Sequence, residues 1–186
     1  MLKRCFIALS LAPAPGLSLE PGLQRLRAFG ELSVPPAENL HLTLAFLGQL
    51  DDAEVRGAAD ATRAAARAAG GGWTVAWGSA GAFPSWRRPR VVWLGLANPA
   101  ITTRVQGLLA AELRQRQLPV DERPFRLHLT LARVRSELTR AKADDLEASL
   151  ASLAPPLPAL VVALVLCRSE AGRGPSIYEQ LERASL

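Results

Sequence analysis

The only two histidines in the chain, His41 and His128, each open the same tetrapeptide, His-Leu-Thr-Leu, and the copies lie 87 residues apart. Side chains alternate between the two faces of a strand, so each imidazole shares a face with its threonine hydroxyl while the two leucines take the other face. A chain built this way folds most economically as two related halves. Each half would turn its leucines into a core and its His-Thr pair into a shared cleft.

The segments around the repeat follow one order twice. Residues 4–11 read as a strand. Glu20 and Pro21 open a helix with Leu23, Leu26 and Phe29 on one face and Gly30 as its stop. Residues 40–47 are the first histidine strand. Asp51 caps an alanine-rich helix ending near Gly70, and Trp73 to Phe83 is a strand whose glycines permit a bend. The order then recurs: a strand from Arg90 to Ala97, a helix from Asn98 and Pro99 with Ile101, Val105, Leu108 and Leu109 on one face, and the second histidine strand at 126–134. A helix capped by Thr139, a buried strand at 159–168 and a last strand from Ile177 to Arg183 complete the chain. Equivalent starts (4 and 90, 41 and 128, 52 and 139, 73 and 160) are offset by 86 or 87 residues. The expected fold is α+β: two β-α-β-α-β halves related by a pseudo-twofold about a central cleft. They form one domain over 1–186, with lobes at 1–84 and 90–186 that can exchange elements.

Composition narrows the setting. With 186 residues, 49% apolar and 21% charged, the chain can bury a sizeable core. No apolar run reaches the roughly 18 residues of a membrane span, and Pro13 and Pro15 interrupt the N-terminal apolar segment where a secretory signal would continue. Cys5 and Cys167 fit no metal or redox spacing, which points to a reducing, cytoplasmic setting. The net charge is +5, with 20 arginines against Lys3 and Lys142. Codon bias in a GC-rich genome is the first explanation of that balance, which also permits an anionic ligand such as phosphate or nucleic acid.

Two histidines supply one specific chemistry. Imidazole titrates near neutrality, so one can be neutral while the other is protonated. The neutral one accepts a proton from water attacking phosphorus, and the charged one donates to the departing oxygen. Thr43 and Thr130 would hydrogen-bond the non-bridging oxygens, where charge accumulates. A lone strand histidine is usually structural, but a repeated tetrapeptide that holds both histidines weighs against that reading. Zinc is disfavoured by the absence of His-x-Glu and Cys-x-x-Cys spacings. No metal and no cofactor are expected.

Almost the whole chain resembles the 2H phosphoesterases, and within them the bacterial RNA 2′,3′-cyclic phosphodiesterases first described as 2′-5′ RNA ligases. The likeness lies in Phe6-Ile7-Ala8-Leu9, in Pro36 to Gly48 around the first histidine, in Gly81-Ala82-Phe83-Pro84, in Arg88 to Gly95, and in Arg123 to Arg133 around the second. The resemblance implies a bilobal fold with two mostly antiparallel sheets flanking the cleft. It also implies metal-independent hydrolysis of a terminal 2′,3′-cyclic phosphate to a 2′-phosphomonoester. In that mechanism His41 is the proton donor and His128 the proton acceptor. The family's phosphate-binding arginine falls on Arg133. Strand parity favours Arg126 instead, and Arg133 reaches the cleft only if a bulge or the strand end turns it back. Phe46, Trp86 and Tyr178 are candidates to stack on a base, and Arg87, Arg88 and Arg90 to hold an RNA backbone. The expected partner is RNA with a 2′,3′-cyclic phosphate end, met by a monomer with no obligate protein partner and no membrane. Reversible 2′-5′ ligation in the same site is compatible with this reading. The alternatives are a non-catalytic RNA-binding module and a phosphodiesterase for small cyclic nucleotides.

Overall fold

The computed structural model describes residues 2–121, 124–153, 156–170 and 176–186. Arg123, at the start of the second histidine stretch, lies outside them. Among the described residues are four α-helices and nine strands, and every strand pairing is antiparallel.

Strand β1 (Lys3–Ala12) is buried on both faces from Cys5 to Leu9, as a strand between two neighbours under a covering layer must be. Helix α1 (Pro15–Arg27) begins earlier than the sequence suggests. Pro15 takes the first position, where a missing N–H costs nothing, and Pro21 is carried inside the helix. Strand β2 (Leu32–Ser33), too short to show a period, leads through a 3-10 turn at Ala37–Asn39 into β3 (Leu42–Leu50). Helix α2 (Asp52–Ala69) has the expected ends. The Asp51 carboxylate accepts from the N–H groups of Ala53 and Glu54 at 2.8 Å each, Glu54 returns a bond to the Asp51 N–H, and Gly70 closes the helix at φ 81°.

The strand expected over 73–83 is two strands. β4 (Trp73–Val75) and β5 (Trp77–Phe83) part at Ala76, and the bend is held by Asn98 rather than by a glycine. The Asn98 amide accepts from the Ala76 N–H at 2.7 Å and donates to the Thr74 carbonyl at 3.0 Å. Gly78 and Gly81 serve close approach instead. Gly81 pairs with Trp93, and a Cβ there would fall on the indole ring. Then follow β6 (Val91–Leu96), α3 (Ala100–Gln115), β7 (Leu129–Val134), α4 (Arg140–Ala151) with its Thr139 cap, β8 (Ala159–Glu170) and β9 (Ile177–Ser185). In α3, Thr102, Val105 and Leu109 form the buried stripe, and Ile101 is 47% exposed, off the face expected for it.

The strands run in the order β4-β8-β1-β3-β7-β6-β5, with β9 on β8 and β2 on β7. Around the β3–β7 junction this order is symmetric: β1, β3 and β5 of the first half correspond to β6, β7 and β8 of the second. The third strand of each half is exchanged, with β5 pairing β6 and β8 pairing β1. The halves meet through a single register pair, Leu42 with Leu129, the same leucine of each tetrapeptide. Leu42, Leu44, Leu129 and Leu131 are buried, as the alternation requires.

Both histidine strands also share one irregularity. Opposite β1, Ala45 pairs Ile7 and Thr43 pairs Ala8, which leaves Leu44 as an extra residue. Opposite β6, Ala132 pairs Val92 and Thr130 pairs Trp93, which leaves Leu131 extra. Each bulge resets the alternation, so residues three apart across it share a face.

Candidate active site

His41 and His128 each stand one residue before their strand, where the chain enters the sheet. Their Nδ1 atoms meet the carbonyl oxygen two residues back: Asn39 O at 2.7 Å for His41 and Arg126 O at 2.6 Å for His128. A carbonyl only accepts, so each Nδ1 carries the proton and each neutral ring keeps a lone pair on Nε2. Asn39 is itself tied down, its amide donating to the Ser176 carbonyl at 2.9 Å.

Aromatic rings fix both imidazoles. Phe6 stacks on His41 at 4.8 Å between centroids, and Tyr178 meets it edge-on at 5.2 Å. Phe83 meets His128 edge-on at 5.0 Å, and Trp93 lies 6.3 Å away. This packing strips water from both rings. Burial pushes the pKa of His41 below its usual value, and the charges of Arg133 and His128 push the same way against the Asn39 carbonyl bond. Burial, followed by the charge of Arg133, likewise lowers His128 against its bond to the Arg126 carbonyl.

His41, Thr43, His128 and Thr130 line one open cavity of about 730 Å³. Arg133 lines it too. The bulge at Leu131 brings it to the face of Thr130, and it carries no ion pair among the described residues. Arg126 does not line the cavity. Its guanidinium lies 5.7 Å from the centre of the Phe83 ring, while its backbone oxygen holds His128. The bulge thus reverses the flat-strand parity that pointed to Arg126. The equivalent bulge at Leu44 sets Phe46 in the place that Arg133 has in the other half, 87 residues earlier. Phe46 is 52% exposed on the same cavity. One half thus offers a cation and the other an aromatic ring.

Among the described residues the cavity wall holds four arginines and no carboxylate. Tyr178 lines it. Trp86 does not: it packs against the hydrophobic core. Arg87 and Arg88 border a separate hollow with Arg140, and Arg90 is exposed outside the cavity, its backbone bonded to Phe83 and Val134. The sequence reading missed Phe6, Phe83 and Trp93 as supports of the histidines, although all three fall in its motif stretches. The carbonyls of Asn39 and Arg126 have no side-chain signature at all. Cys5 and Cys167 are free and buried, and burial pushes the Cys167 thiol up to about 11, which keeps it a protonated thiol. Among the described residues, no helix is long and apolar enough to cross a membrane.

The family model of the 2′-5′ RNA ligase superfamily matches residues 15–173. An RNA 2′,3′-cyclic phosphodiesterase of Escherichia coli K12 is 33% identical over 151 residues, covering 81% of this chain and 77% of its own length. A protein of the same name from Archaeoglobus fulgidus is 27% identical over 132 residues, covering 71% and 73%. Among solved structures, Escherichia coli LigT complexed with 3′-AMP superposes with a TM-score of 0.73 at 27% identity, over 100% of this chain and 99% of that one. A protein of Thermus thermophilus superposes with a TM-score of 0.79 at 25% identity, over 98% and 97%. Fold, paired tetrapeptides and family match agree: this chain belongs to the 2′-5′ RNA ligase superfamily, the 2H phosphoesterases.

Proposed function

We propose that this protein hydrolyses the 2′,3′-cyclic phosphate at RNA ends to a 2′-phosphomonoester. The observation that carries the reading is the pair of equivalent His-Thr sets on one carboxylate-free cavity, each with its Nδ1 bonded to a carbonyl. The names of the Escherichia coli and Archaeoglobus relatives support the substrate class.

In the working state His128 is neutral and His41 is protonated. Water attacks phosphorus and gives a proton to Nε2 of His128. The bond from phosphorus to the 3′ oxygen breaks, and Nε2 of His41 gives that oxygen its proton. The 2′ linkage stays, and exchange with solvent restores both rings. The donor and acceptor assignment rests on the family resemblance, since the two tetrapeptides are identical. Thr43 and Thr130 donate hydrogen bonds to the non-bridging oxygens, and Arg133 neutralises the charge that grows there. Phe46 and Tyr178 offer faces for a base. A 5′-hydroxyl in the place of water gives a 2′-5′ linkage by the same step. One chain carries both His-Thr pairs, so the reaction needs no second subunit.

The test is hydrolysis of an oligonucleotide ending in a 2′,3′-cyclic phosphate, with EDTA present, by wild type, His41→Ala and His128→Ala. We expect a 2′-phosphate product and a loss of about 10²–10⁴-fold in each variant. A 3′-phosphate product, or full activity in either variant, overturns the mechanism. RNA binding without turnover by folded wild type would favour a binding module.

A further inference from the structure

Two of the four arginines on the cavity wall are already engaged. Arg27 is paired with Glu20 at 2.6 Å, and Arg135 donates to the carbonyls of Gly30 and Leu32. Arg4 and Arg133 have no acid partner among the described residues, so the cavity holds two cations free to meet anions. Arg133 stands with the His-Thr pairs. Arg4 stands elsewhere. Thr43 is level with Ala8 in the β1–β3 register, and Arg4 lies four residues further along β1, about 13 Å of strand. Between the two levels are the rings of Phe6 and Phe46, 6.5 Å apart. Ser169 lines the cavity near Arg4, and Tyr178, paired with it across β8 and β9, turns its ring to Phe6 and His41. Arg168, near Arg4 across the β1–β8 pairing, is held by both Glu170 and Glu179, whereas Arg4 has no ion pair among the described residues.

From the histidines outward, the wall presents a cation, the exposed ring of Phe46 beside buried Phe6, and a second cation. An RNA end presents its cyclic phosphate and its 5′-side phosphodiester on one ribose, with the base branching from that ribose. We infer that Arg4 binds the phosphodiester on the 5′ side of the terminal nucleotide, so that the site selects RNA ends over free nucleoside 2′,3′-cyclic monophosphates. The inference rests on the function proposed above and adds the group that sets substrate length. A free mononucleotide has no phosphate to place at Arg4. The guanidinium fork suits a phosphodiester whatever its sequence, so the selection is for length rather than for base.

The test compares three substrates: adenosine 2′,3′-cyclic monophosphate, its 5′-phosphorylated form, and the dinucleotide ApA ending in a 2′,3′-cyclic phosphate. The quantity read is the ratio of kcat/KM for each longer substrate to that of the first. In wild type we expect a preference of about tenfold or more for both longer substrates, weakening as salt rises. In Arg4→Ala and Arg4→Gln, melting like wild type, the ratio falls about tenfold. An unchanged ratio in both variants, or no preference in wild type, overturns the role of Arg4 and leaves the proposed reaction standing. Turnover of none of the three by wild type removes the reaction and this inference with it.

Discussion

Replacing Arg133 tests the reading of the cleft most severely, because two structural arguments rank it differently from Arg126. A charged hydrogen bond to a phosphate oxygen contributes about 1.5–3 kcal/mol. Arg133 is exposed at the cleft margin, so water and salt place its share in the lower part of that range, about 2 kcal/mol or about 30-fold in kcat/KM. Arg126→Ala loses only an exposed contact with Phe83, about 0.5–1 kcal/mol, and the carbonyl that holds His128 survives the substitution. We expect Arg133→Ala to cost about 30-fold and Arg126→Ala no more than about fivefold. Arg133→Lys should fall between wild type and Arg133→Ala, since it keeps the charge and loses the fork. A second readout separates an electrostatic role from a structural one. Arg133 lowers the pKa of both histidines, so removing it raises both and moves the whole pH–rate profile to higher pH, whereas Arg126→Ala leaves the profile in place. The assay is steady-state hydrolysis of an oligonucleotide cyclic phosphate from about pH 4.5 to 9, a range that spans the ordinary histidine titration. A larger loss in Arg126→Ala, or an unmoved profile in Arg133→Ala, refutes the bulge argument.

Three further outcomes follow from the geometry. The profile of kcat/KM should be bell-shaped with its maximum below the ordinary histidine value of 6.5, since both rings are lowered in the free protein; in kcat the maximum moves up, because bound phosphate favours the charged rings. A rate that rises to an alkaline plateau counts against the pair. Because the folded-state values are depressed, the unfolded chain binds more protons, and stability is lost as pH falls from about 6.5 toward the folded values. The thermal midpoint of wild type should therefore drop more between about pH 7.5 and 5 than that of a His41→Gln, His128→Gln double variant; equal drops would contradict the burial argument. Gly81→Ala drives a Cβ into the Trp93 ring that packs toward His128, and should cost about 1–3 kcal/mol in denaturant unfolding together with a fall in kcat. An unchanged unfolding midpoint would mean the ring does not lie on Gly81.

What the sequence determined about this protein is local and periodic. The doubled His-Leu-Thr-Leu was enough to send Leu42, Leu44, Leu129 and Leu131 into the core and the His-Thr pairs to the other face, because alternation is a property of one strand alone. Asp51, Gly70 and Thr139 marked helix ends for the same reason, since a cap bonds within a few residues of itself. Tertiary pairing decided the rest. Arg133 faces the cavity only because Leu131 is extra against β6, and a bulge is defined by two strands. The strand expected over 73–83 broke at Ala76, where Asn98, distant in sequence, bonds the Ala76 N–H and the Thr74 carbonyl. Trp86 and Phe6 look alike as lone aromatics in the sequence, yet half-buried Trp86 packs against the core and buried Phe6 stacks on His41. The imidazole tautomers depend on the carbonyls of Asn39 and Arg126, which every residue type possesses. The sequence thus chose the paired His-Thr groups of the proposed reaction, and the pairing of strands chose the cation, the aromatic rings and the proton positions that surround them.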